Sequence, residues 1–113
     1  MKQILFILFL SVFTFSVFAQ DIPEKPNPPR LVNDLANVLS DQERQQLESD
    51  LVQFNDQTST QIAILTVPSL NGYDVADFST RVFNKWQIGQ AGKNNGILIV
   101  FKPKTADAKG AVF

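Results

Sequence analysis

The chain has no cysteine and no histidine among its 113 residues. Without cysteine no disulfide can staple the fold, so stability has to come from a packed core. Without histidine the usual general base is missing, and with it every Ser-His or Cys-His nucleophile pair and the usual zinc ligands. Any metal must then be held by carboxylate, amide and carbonyl oxygens, a donor set that favours the hard cations calcium and magnesium. A charge excess is also lacking: ten basic against eleven acidic groups leave a net charge of −1, with no basic stripe for a phosphate backbone. Nucleic acid is therefore not an expected partner.

Long apolar runs are scarce as well, and the one present is at the start. Met1-Lys2 gives a short positive beginning, Ile4 to Phe18 is apolar apart from Ser11, Thr14 and Ser16, and Val17-Phe18-Ala19 offers a small-residue exit. This is the pattern of a secretory signal peptide, residues 1–19, cleaved after Ala19. The run is shorter than the ~20 residues a spanning helix needs, and nothing later is long or apolar enough to span. The expected location is periplasmic or extracellular, with association to the membrane and envelope or membrane proteins as partners. Without Lys2 the remaining chain carries nine basic and eleven acidic groups, a net charge of −2.

Asp21 to Arg30 (D-I-P-E-K-P-N-P-P-R) holds four of the six prolines, so residues 20–30 read as an extended linker. The domain, residues 31–113, opens with L-V-N-D-L-A-N-V-L. Ser40-Asp41-Gln42-Glu43 is a capping box, and the helix after it sets Leu47, Leu51 and Phe54 on one stripe before ending near Thr58-Ser59. Gln61 to Val67 is apolar on both faces and stopped by Pro68, the pattern of a central strand. After a turn at Asn71-Gly72, a second helix over 74–86 places Val75, Phe78, Val82 and Trp86 together. Asp77, Arg81 and Lys85 fall on its other face. A strand follows over 97–102, then a turn from Pro103 to Gly110, and Ala111-Val112-Phe113 starts another strand. Strand, helix, strand predicts a right-handed crossover joining parallel neighbours, hence an α/β class. Phe113 falls inside an apolar run, a pattern expected of a domain cut short or completed by another segment.

Three constellations could carry chemistry. The loop G-Q-A-G-K-N-N-G, from Gly89 to Gly96, can turn tightly and bring backbone and Asn oxygens near a ligand, but it enters a strand and is no P-loop. Gly89 and Gly92 equally suit left-handed turn positions. Asn33-Asp34, just ahead of the first helix, is a pairing that most often does turn chemistry. Asp74 and Asp77 fit first-turn acids that complement the helix dipole. Lys93 could contact a phosphate, although a single loop lysine is usually just solvated.

Taken together, three blocks resemble the TPM-domain family of exported bacterial and thylakoid-lumen proteins. They are V-N-D-L-A-N-V-L-S from Val32, T-Q-I-A-I-L-T-V-P-S-L from Thr60, and F-N-K-W-Q-I-G-Q-A-G-K-N-N-G-I-L-I-V from Phe83. The resemblance implies a three-layer α/β/α sandwich with a small mixed sheet and a groove at one sheet end. It further implies calcium there in some relatives, weak acid phosphatase activity in certain plant members, and a C-terminal membrane anchor in many. On this pattern the metal ligands would be Asp34, Asn94 and Asn95. Many relatives carry an acid where Asn94 stands, and the missing charge weakens cation binding. The family's usual glycine-rich continuation with a further acid and a closing helix does not follow. Two activities are thereby expected: a calcium-binding accessory or interaction module, or a metal-dependent, acid phosphatase-like hydrolase of phosphomonoesters.

Overall fold

The computed structural model describes residues 22–89, 94–104 and 110–113. The expected signal peptide, Gly92 and Lys93 of the glycine loop, and residues 105–109 of the expected turn lie outside the described residues.

Among the described residues, four strands and two helices follow in the order β1 (Val32–Asp34), α1 (Asp41–Thr58), β2 (Gln61–Thr66), α2 (Val75–Trp86), β3 (Gly96–Lys102) and β4 (Ala111–Val112). The sheet order is β1-β2-β3-β4. β1, β2 and β3 run parallel, with Val32 beside Ile64 and Gln61 beside Gly96, while β4 returns antiparallel with Val112 beside Phe101. The expected mixed α/β sheet is thus present, with β2 central because both of its faces are apolar.

The alternation of strand side chains divides the packing in two. Leu65, Val67 and Val100 point to one face, where Phe78, Val82 and Trp86 of α2 complete a fully buried cluster. Each such side chain contributes about 1.5–3 kcal/mol by leaving water. No α1 residue joins that cluster. α1 instead packs over β1 and β2, where Val32 and Thr66 are buried. This side is thinner: Leu47 and Leu51 are only half-buried, and Phe54, expected on the same buried stripe, is 40% exposed. α1 reaches only two strands, so Ile97, Ile99 and Phe101 of β3 and Val112 of β4 remain exposed on this side.

The helix ends follow local chemistry. Ser40 and Glu43 form the expected capping box, and Ser59 closes α1 in the left-handed region. Asp74 caps α2 by accepting from the Asp77 N–H at 2.7 Å, and Asp77 pairs with Arg81 at 2.9 Å. Lys85 does not continue that row; it pairs with Glu24 at 2.9 Å. The proline-rich segment is therefore no free spacer. Ile22 packs against the core, the Trp86 indole N–H donates to the Pro23 carbonyl at 2.8 Å, and Lys85 also donates to the Ile22 carbonyl.

Candidate functional site

Asp34 is the last residue of β1, and the carboxyl ends of parallel strands are where open α/β sheets place ligands. Its carboxylate, however, already has work. Oδ1 accepts from the Thr66 hydroxyl at 2.5 Å and the Val38 N–H at 3.0 Å, and Oδ2 accepts from the Leu39 N–H at 2.9 Å. The Ala36 N–H reaches the Thr66 oxygen at 3.1 Å, and the Asn37 N–H reaches the Asp34 carbonyl at 3.2 Å. The loop Leu35–Leu39 is wound around one carboxylate, with Asn37 at φ 55° making the bend. Desolvation alone would push the Asp34 carboxyl up. The Thr66 hydroxyl, the Leu39 and Val38 amides and the Arg44 guanidinium more than offset it, holding the group below the ordinary aspartate value.

Beside this clamp lies a cavity of about 270 Å³ whose wall includes Asp34, Asn33, Arg30, Arg44 and Glu24. Arg44 also pairs with Asp41, and Glu24 with Lys85. Asn33 is buried, and its amide donates to the Arg30 carbonyl at 3.3 Å. The arrangement offers two carboxylates and two guanidinium groups, of which Glu24 and Arg44 are already paired with Lys85 and Asp41. Among the described residues, no three acidic side chains converge on one point.

Asn94 and Asn95 are elsewhere. They precede β3 at the amino end of the sheet, and Asn95 accepts the Gln61 N–H at 2.8 Å on its carbonyl. Its side-chain amide donates to the Ser59 carbonyl at 2.6 Å, tying the exit of α1 to the start of β3. Asn94 is exposed at φ 50°. Asp34 stands beside Thr66, whereas Gln61 stands beside Gly96, so six steps of strand separate Asp34 from Asn95. At ~3.3 Å per residue that is about 20 Å. Calcium holds its oxygens at ~2.3–2.6 Å, so one ion cannot join Asp34 to this pair within one chain. The expected ligand set is not assembled, because parallel strands put the start of β3 at the opposite edge from the end of β1.

The glycines of the loop serve packing. A side chain on Gly96 would drive its Cβ into the Ile88 carbonyl oxygen, and one on Gly89, at φ 89°, would lie 2.7 Å from the Gly96 nitrogen. The Gly89 N–H donates to the Gln61 side chain at 2.6 Å. The exit of α2 and the entry of β3 cross here backbone against backbone.

Sequence reasoning passed over Thr66, Glu48 and the Trp86 clamp on Pro23. Thr66 is the hydroxyl at the carboxyl end of an otherwise apolar strand, a signal that could have marked it. Glu48 accepts from the Leu31 and Val32 amides at 2.8–3.0 Å and so blunts the edge strand; nothing in its local sequence announces this.

Fold and site define the class: a small α/β domain on a mixed sheet, with an acidic clamp at the carboxyl edge. A model of the TPM domain matches residues 32–112, and the chain belongs to that family. No curated protein sequence matches it.

Proposed function

We propose that this TPM-domain protein is an exported, non-catalytic binding or accessory module that works through the carboxyl edge of its sheet. The observation carrying this reading is the saturation of Asp34. Its two oxygens offer about four acceptor positions, and two amides and a hydroxyl take three of them. A carboxylate held this way shapes a loop and a cavity wall well, and is badly placed to serve as a general base. Export through residues 1–19 and partners among envelope or membrane proteins belong to the same proposal.

Calcium enters this reading through Asp34 alone of the three expected ligands. One largely saturated carboxylate is far short of the six to eight oxygens a calcium ion prefers, so the affinity is millimolar at best. Calcium titration followed by NMR tests this. The Val38 and Leu39 amides shift at millimolar calcium and those beside Asn94 and Asn95 stay still. If the Val38 and Leu39 amides do not move, calcium leaves the proposal.

A second reading, the metal-dependent phosphomonoester hydrolase, draws on Arg30 and Arg44, which line the same cavity as Asp34 and suit an anionic group. Its test is turnover of a generic phosphomonoester with calcium or magnesium. Metal-dependent turnover abolished by Asp34→Asn replaces the module reading; absence of turnover removes the hydrolase.

A further inference from the structure

A different cavity sits near the amino end of the sheet. β1 pairs with β2 only from Val32 beside Ile64 onward, so among the described residues no strand covers the outer edge of Gln61–Ala63. The gap opens a cavity of about 260 Å³. Val52, Ala63, Trp86 and Ile88 give it apolar walls, and Asn55 and Gln61 line it as well, the Gln61 side-chain oxygen already accepting from the Gly89 N–H. Lys25 and Arg30, both exposed, also line it, and neither enters an ion pair among the described residues. Glu48 lines the cavity too, but its carboxylate is already bound to the Leu31 and Val32 amides.

An apolar pocket with two amides and a pair of uncommitted cations has the make-up of a small-ligand site, and the charge sets the ligand's sign. We propose that this cavity binds a small apolar carboxylate, roughly one amino-acid residue in size. The aliphatic or aromatic body packs on Trp86, Ile88 and Val52, and the carboxylate faces Lys25 and Arg30. This site lies apart from the Asp34 carboxylate, although Pro26, Arg30 and Trp86 also border the cavity there; Val52, Asn55, Gln61 and Ile88 line this one alone. Lys25 lines this cavity and not that one.

The test uses the chain with N-acetyl-leucine as probe and its carboxamide as the uncharged twin, followed by NMR. The acid should give saturable shifts at the Trp86 indole N–H and the Asn55 and Gln61 side-chain amides, and should bind several-fold more tightly than the carboxamide. Exposed ion pairs are worth about two- to fivefold each in Kd. Lys25→Gln should weaken the acid by about that factor and leave the carboxamide unchanged, and adding Arg30→Gln should bring the two probes together. A short peptide ending in leucine separates the sources. Tighter binding than the probe at the same residues points to a chain terminus, and weaker binding points to a free acid; both keep the site. No saturable shift with acid or peptide at tens of millimolar overturns the proposal. So does equal binding of acid and carboxamide.

Discussion

Replacing Asp34 with alanine removes the acceptor around which the loop between β1 and α1 is wound. Three donors lose an ionised partner: the Thr66 hydroxyl, the Leu39 N–H and the Val38 N–H. Hydrogen bonds to charged groups contribute about 1.5–3 kcal/mol each. The three do not weigh equally. The bond to Val38 is exposed, so its amide is taken up by water, whereas those to Leu39 and Thr66 are partly buried. The expected loss is therefore about 2–4 kcal/mol, not the full sum. For a domain of this size that lowers the Tm by roughly 10–30 °C. Asp34→Asn keeps an oxygen toward Thr66 and should cost about half as much. Urea and thermal unfolding measure both losses. Amide exchange should show faster opening at Val38 and Leu39 in either variant. A loss below about 0.5 kcal/mol for Asp34→Ala would refute the clamp, and would restore Asp34 as a carboxylate free for a ligand.

Three further outcomes follow from the same geometry. The Asp34 carboxyl lies below its ordinary value when folded. Its contribution is therefore complete above the unfolded aspartate value of ~3.9 and is lost as pH falls through the lower folded value, and Asp34→Asn should flatten this acid limb in urea titrations from pH 6 to 2. Gly96→Ala should cost about 3 kcal/mol or more, since the new Cβ meets a backbone oxygen that cannot swing away; a stable, well-folded variant by circular dichroism would contradict the crossing of α2 and β3. Trp86→Phe should cost about 1–3 kcal/mol and release residues 22–26, read as lost amide protection there, because the Pro23 carbonyl loses its indole donor.

Much of the fold was legible along the chain because its signals are local. The capping box at Ser40 and Glu43, the apolar face of α2 and the run Gln61–Val67 each depend on residues a turn or two apart, whereas Asp74, expected in the first turn, is the cap that precedes it. β1 was not legible: three residues are too few for a period, and Asn33-Asp34 reads as a turn until Ile64, Leu65 and Thr66 lie beside it. The docking of Ile22 to Glu24 on Lys85 and Trp86 was hidden as well, since its contacts bridge more than sixty residues.

The candidate site divides along the same line. By itself the sequence determined the chemistry available: no imidazole or thiol, oxygen ligands only, and three motif blocks in the order of the TPM family. Only the tertiary structure decided which of those oxygens meet. Parallel pairing of β1, β2 and β3 sends the end of one strand and the start of another to opposite edges of the sheet. Asp34 is thereby joined to Thr66 and parted from Asn94 and Asn95, a sorting that depends on strand direction and register and is written in no local stretch of the chain.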